Sequence, residues 1–218
     1  ITPQIADIAA IHNLYGAPSS ANAGDTVYGL NGNSGTYLDG AHDLSNPISY
    51  SVLDTNGTDV FDFSFSSAHQ VMDLRQETFS DLDGRDGNVG IARGTVIEIG
   101  RTGGGDDRIT GNDADNEISA GTGTDTILGG GGDDAILGGG GNDSLHGGEG
   151  IDLIEGGSGN NVLNGDGGSD LIVGDDVKLA MLTMLYPTWT PPADAEVRLD
   201  NGNYLSLWED IIDELNIV

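Results

Sequence analysis

The sequence predicts an all-β protein: a parallel β-roll (a β-solenoid) of nonapeptide repeats stacked on a strand-rich, sandwich-like segment, with short flanking helices. Three observations carry that expectation. Residues 102–173 divide into eight consecutive nonapeptides without an insertion, and every eighth position is aliphatic: Ile109, Ile118, Ile127, Ile136, Leu145, Ile154, Leu163 and Ile172. The same stretch holds 23 of the 37 glycines. Ahead of it, short runs alternate apolar with polar residues and are punctuated by Asn-Gly and Asp-Gly turn signals.

Four regions follow in order. Residues 1–16 place Ile5, Ile8, Ile11 or His12, and Tyr15 at helical intervals before Gly16, a C-terminal stop. Residues 17–101 contain the strand-like runs DTVYGL, ISYSVLD, DVFDFSFS and GTVIEIG. Residues 102–176 hold the repeat. In 177–218, DVKLAMLTMLYP reads as a short helix ended before Pro187 and EVRLDNGNYLSL as a hairpin around Asp200-Asn201-Gly202. Ser206 and Glu209 then stand at capping-box spacing, with Leu207, Trp208, Ile211, Ile212 and Leu215 on one helical face.

Charge narrows the function. There are 36 Asp and Glu against 7 Lys and Arg, a formal charge of −29. Such a surface repels nucleic acid and anionic membrane and attracts cations. The absence of cysteine excludes a disulfide framework and a thiolate metal site. No apolar run approaches the ~20 residues of a membrane helix. The chain starts at Ile1 without Met and shows no signal peptide, which reads as a processed or excised part of something longer.

The nonapeptide G-G-x-G-x-D-x-U-x is the calcium-binding parallel β-helix repeat. The residues explain why. A glycine-rich six-residue turn takes positive φ angles and aims carbonyls inward. A three-residue strand follows, its middle side chain buried. Two nonapeptides complete one coil, so residue i stacks on i+18. That period raises Asp107, Asp125 and Asp143 along one edge and Asp134, Asp152 and Asp170 along the other. Calcium takes about 6–8 oxygen ligands from mixed carboxylates and carbonyls; magnesium demands tighter geometry, and zinc prefers His or Cys.

The expected donors are turn residues. They are Gly103, Gly105 and Asp107 in the first repeat, and Asn112, Ala114 and Asn116 in the second. Ala120, Gly121, Thr122, Gly123 and Asp125 follow in the third, then Gly129, Gly130, Gly131, Gly132 and Asp134 in the fourth. The fifth supplies Gly138, Gly139, Gly140, Gly141 and Asp143; the sixth Gly147, Gly148, Glu149, Gly150 and Asp152. Gly156, Ser158 and Asn161 come from the seventh, and Gly165, Gly167 and Asp170 from the eighth. Turns joining two aspartates should bind most strongly. Asn116 and Asn161 carry one charge less, so Asn116/Asp134 and Asp143/Asn161 should bind more weakly.

The stretches DIAAIHNLYG (7–16), GDTVYG (24–29), GTDVFDFS (57–64) and NVGIARGTVIEIGRTGGGDDRITGNDADN (88–116), with the repeat behind them, resemble the serralysin family of secreted bacterial zinc proteases, specifically its C-terminal domain. The resemblance implies two further calcium sites ahead of the roll. One would use Asn22, Gly24, Thr26, Asp54, Asn56 and Asp59; its neighbour Gly57, Asp59, the Val96 carbonyl and Glu98. Where the family usually has Arg, this chain has Asn22, a carbonyl ligand. On the residues alone, DTNGTD at 54–59 is an oxygen-rich turn, with an ordinary Asx-rich hairpin turn as the alternative. In all, about six to eight calcium ions and no zinc are expected.

A protease of that family needs H-E-x-x-H, two histidines one helical turn apart with Glu as base. Here His12, His42, His69 and His146 are scattered and none precedes Glu, so these 218 residues are expected to hold no catalytic residue and to begin just after the active site. The expected function is a calcium-binding module of a secreted serralysin-like metalloprotease that folds on calcium outside the cell. Its partners would be calcium, the catalytic domain of the parent chain and the type I secretion machinery. An adhesin or surface protein, or another exported enzyme such as a lipase or polysaccharide-modifying enzyme, is the alternative bearer of the module. The ending ELNIV (214–218) resembles a secretion signal interrupted by Asn216; the amphipathic tail would instead cap the roll by covering an outward stripe of Leu137, Leu153, Leu171 and Val173.

Overall fold

The computed structural model describes residues 24–34 and 50–174. The expected helices in 1–16 and 177–218, the tail and its cap, and the 22nd residue lie outside the described residues. Within them the protein is all-β, without a helix.

Strand formation in the repeat follows from its aliphatic eighth positions. The first strand there, β8 (Arg108–Thr110), is followed by β9 (Glu117–Thr122), β10 (Thr126–Gly131), β11 (Ala135–Gly140), β12 (Ser144–Glu149), β13 (Leu153–Ser158), β14 (Val162–Gly167) and β15 (Leu171–Val173). Alternate strands pair in parallel at a spacing of 18: Ile127 lies beside Ile109 and Leu145, and Ile136 beside Ile118 and Ile154. The two sheets face each other through these side chains, which are buried. Leu163, on the terminal strand of its sheet, is only half-buried.

The strands are longer than the three residues expected. Six of them, β9 to β14, run on through the first three positions of the next repeat, leaving three residues to turn. Parallel stacking is the reason: Gly130 pairs with Gly148 and Gly139 with Gly121 and Gly157, so glycine stays in register when its neighbours above and below are equally bare.

The upstream strands are β1 (Val27–Gly29), β2 (Tyr50–Val52), β3 (Val60–Asp62), β4 (Val71–Asp73), β5 (Phe79–Ser80), β6 (Val89–Ile91) and β7 (Ile99–Arg101). They extend the roll in two layers. One sheet runs β1-β3-β7-β9-β11-β13-β15; the other runs β14-β12-β10-β8-β4, and β2-β6-β5 form a third. β4 meets this third sheet through an antiparallel Val71–Asp81 bridge. The layers approach closely: a Cβ on Gly100 of β7 would stand 3.0 Å from Met72 Sδ. Tyr28, Phe61, Phe63 and Phe65 form an aromatic row in this thicker core, with centroids 5.7, 6.3 and 6.1 Å apart.

The alternative reading of DTNGTD as a hairpin turn does not hold, because β2 and β3 on either side of it belong to different sheets. Along the outward stripe, Leu137 and Leu153 are each 37% exposed and Val173 is 2% exposed.

Candidate metal centre

Each repeat places its sixth residue immediately before a strand, and this fixes the aspartates in two ladders. On one edge Gln70 N–H donates to Asp107 Oδ1, Asp107 N–H to Asp125 Oδ1 and Asp125 N–H to Asp143 Oδ1, at 2.7, 2.7 and 2.9 Å. Asp143 N–H then donates to Asn161 Oδ1 at 2.9 Å. On the other edge Asn116, Asp134 and Asp152 donate their N–H groups to Asp134, Asp152 and Asp170 Oδ1, at 2.7, 2.8 and 3.0 Å. Each aspartate thus spends one oxygen on the coil below.

The second oxygen has no partner. Oδ2 of Asp107, Asp125, Asp134, Asp143 and Asp152 is buried without a hydrogen bond. Five orphaned carboxylate oxygens in stacked turns are a heavy cost, since an unsatisfied buried charged group costs upward of ~1–3 kcal/mol. They share their space with carbonyls. A Cβ on Gly138 would stand 2.6 Å from Asp143 Oδ2 and 2.8 Å from the Gly156 carbonyl oxygen. The same pairing recurs at Gly129, between Asp134 Oδ2 and the Gly147 carbonyl, and at Gly147, between Asp152 Oδ2 and the Gly165 carbonyl. Asp170 Oδ2 likewise faces Gly165. Ala120 shows that a methyl group fits this first position in the third repeat, where Asp125 Oδ2 is still unpartnered.

Fourth-position residues turn the chain. Gly105, Gly123, Gly132, Gly141 and Gly150 have φ of +100°, +147°, +98°, +144° and +136°. Their neighbours Gly121, Gly130, Gly139 and Gly148 at the second position are also at positive φ. Not every expected carbonyl is free: those of Gly103 and Asn112 accept ladder bonds from Thr122 and Gly131 N–H. Gly131 and Gly140 lie in strands, and the Thr122, Glu149 and Ser158 residues there are exposed, so their side chains are not in the turns. Gly167 ends β14 beside the Glu149 carboxylate.

Burial sets the electrostatics. It pushes the carboxyls of Asp107, Asp143 and Asp152 up from their ordinary value, Asp125 to about 6 and Asp134 to about 7. The ladder N–H bonds oppose that rise, at Asp107 after the nearby Thr102 side chain, and for Asp125, Asp134 and Asp152 the stacked aspartates add to it.

Upstream, the structure draws together six of the residues implied by resemblance. Thr26 N–H donates to Asp59 Oδ1 (2.9 Å), Asp59 N–H to Glu98 Oε2 (2.7 Å), and the Thr26 hydroxyl to the Gly24 carbonyl (2.8 Å). Gly57, at φ +125°, packs against the Gly24 backbone; no side chain fits between them. Burial, with Asp54 and Glu98 nearby, raises the Asp59 carboxyl to about 7. Asn56 and Val96 are exposed at the margins of this cluster. Sequence reasoning missed Tyr28, whose hydroxyl donates to Asp54 Oδ2 (2.7 Å), and Thr95, whose hydroxyl accepts Asp54 N–H (3.0 Å). It also missed a second ladder. Fifth-position Asp106, Asp115, Asp133 and Asn142 accept N–H bonds from Thr124, Asp133, Ile151 and Asn160, one coil on. The recurring Asx at the fifth position was the available signal.

Among the described residues no three His, Cys, Asp or Glu side chains converge on one point. Any ion in these turns would therefore draw most of its ligands from backbone carbonyls. His69 contacts the Asp106 carbonyl, and His146 Nδ1 lies 3.0 Å from Asp166 on the outer face. An all-oxygen set with one carboxylate per turn fits a hard divalent cation of flexible coordination.

The profile of the family described as "Peptidase M10 serralysin C terminal" matches residues 17–183. The chain belongs to the serralysin C-terminal family. Serralysin G of Dickeya chrysanthemi is 50% identical over 112 residues, 51% of this chain and 24% of that protein. Metallopeptidase AprA of Pseudomonas marginalis and serralysin of Proteus mirabilis are 45% and 44% identical over 116 residues, 53% of this chain and 24% of each relative. The match thus spans about a quarter of these relatives. No helix among the described residues is long and apolar enough to cross a membrane.

Proposed function

We propose that this chain is the calcium-binding C-terminal module of a secreted, serralysin-like metalloprotease, folding when it meets calcium outside the cell and supporting type I secretion and stability of the parent protein. The five orphaned Oδ2 atoms carry the reading. A fold that buries carboxylates without partners requires a cation, and the surrounding carbonyls select calcium over zinc or magnesium. Low calcium inside the cell would leave the module unfolded and exportable. Membership in the serralysin C-terminal family supports the parent activity. The roll itself does no chemistry: its aspartates hold the ion by charge, its glycine turns aim carbonyls, and its aliphatic stack excludes water.

Calcium titration of the 218-residue chain, followed by calorimetry and circular dichroism, tests this. Several ions per chain bound together with a gain of β signal is the expected result. Absence of binding at millimolar calcium would sink the proposal.

Acid should partly replace the ion. Asp125 and Asp134 titrate near 6 and 7 in the fold, above their unfolded value. The metal-free fold therefore binds more protons than the unfolded chain, and its stability is lost as pH rises from about 4 through 7. Calcium needs the deprotonated carboxylates, so its benefit changes in the opposite sense. In chelator the chain should melt higher at pH 5 than at pH 8, and the increment added by calcium should be smaller at pH 5. A metal-free melting temperature that climbs with pH would contradict this.

A further inference from the structure

The two aspartate ladders each have an asparagine at one end, and the two amides behave alike in one respect: neither leaves an orphan. Asn161 Oδ1 accepts Asp143 N–H just as an aspartate would, but its Nδ2 donates to the Gly157 carbonyl at 3.1 Å. That nitrogen stands where the aspartates hold Oδ2. A Cβ on Gly156 would lie 2.8 Å from Asn161 Nδ2, as one on Gly138 would lie 2.6 Å from Asp143 Oδ2. The orientation is dictated by its partners, since an N–H must meet the oxygen and a carbonyl must meet the NH₂.

Asn116 is 3% exposed and sits at the other end of the other ladder. Its Oδ1 accepts Asn112 N–H at 2.8 Å, and its Nδ2 donates to the carbonyls of Ile97 and Glu98 at 3.2 and 3.1 Å. A carboxylate here could not continue the ladder. The Glu98 N–H that it would need already donates to the Asp59 carbonyl. Its NH₂ faces acceptors alone, and a carboxylate oxygen in that place would be repelled by them, while its Oδ1 lies where the aspartates hold Oδ2, 2.6 Å from a Cβ on Gly111.

We infer that Asn161 is a metal-free closure of its ladder: its amide NH₂ does for its turn what an ion does for an aspartate turn, so no ion is held by the Asn161 side chain. This rests on the calcium reading above. That ladder gains an end that needs no metal.

The test counts calcium per 218-residue chain by native mass spectrometry at saturating calcium, with melting temperature measured in parallel. Asn161→Asp should bind one more ion than wild type and melt lower in chelator. Asn161→Ala should keep the wild-type count and melt lower. Asn116→Asp, which puts a carboxylate oxygen against the Ile97 and Glu98 carbonyls, should melt lower even in saturating calcium. The inference is overturned if folded Asn161→Asp gains no ion, or if Asn161→Ala loses one; should Asn161→Asp not fold, the alanine count decides. A wild-type chain that binds no calcium would instead overturn the calcium reading itself.

Discussion

In excess chelator at pH 8 the roll's β signal should weaken and the melting temperature should fall steeply, and millimolar calcium should restore both. The magnitudes make this the largest effect available. A domain's net stability is about 5–15 kcal/mol. One ion at a hundredfold over its dissociation constant adds about 2.7 kcal/mol. Five orphaned oxygens offer that gain repeatedly, so removing the ions takes away much of the free energy the fold possesses. The hydrophobic reserve is thin, because each coil of the repeat buries little more than one aliphatic side chain per strand, such as Ile127 or Ile136. The thicker aromatic core around Tyr28, Phe61 and Phe63 should resist longer. Circular dichroism across a chelator titration measures the transition; a β spectrum and melting curve unchanged in chelator would refute the expectation.

Gly141→Ala should destabilise the calcium-loaded chain by about 4 kcal/mol, combining backbone strain with a steric clash. Gly141 has φ +144°, a conformation that costs alanine dearly, and its Cβ would collide with the Gly123 carbonyl oxygen one coil below. That carbonyl cannot retreat, since Gly123 is itself stacked on the Gly105 carbonyl. The adjacent residue is the control. Gly140 is not at positive φ, and its nearest neighbour would be the Ser158 hydroxyl at 3.3 Å, so Gly140→Ala should cost under about 1 kcal/mol. Urea denaturation at fixed saturating calcium compares the two; equal losses would show that stacking does not restrain the turn.

The repeat was legible because its chemistry is periodic. An aliphatic residue at every eighth position and an Asx at every sixth fix strand, register and ladder at once, and the 18-residue stacking follows from two strands per coil. The upstream strands were legible as strands but not in their pairing. Their parallel partners lie tens of residues away: Val27 beside Val60, and Val60 beside Ile99. No local turn residue encodes such a pairing. Gly57 and Asp59 were named by resemblance, while Tyr28 and Thr95, which hold Asp54, belong to no motif.

The amino-acid order by itself determined that residues 102–173 coil, that aspartates line both edges, and that a hard cation suits them. Nearest-neighbour periodicity suffices for those conclusions, because each coil contacts mainly copies of itself. Tertiary structure decided which polar atoms are left over. Whether a carboxylate oxygen is orphaned, or an amide closes its ladder, depends on what lies one coil away: Asp143 N–H below Asn161, or an already committed Glu98 N–H below Asn116. Hydrogen-bond satisfaction is a property of neighbours in space, and at the ends of the roll those neighbours are not repeats.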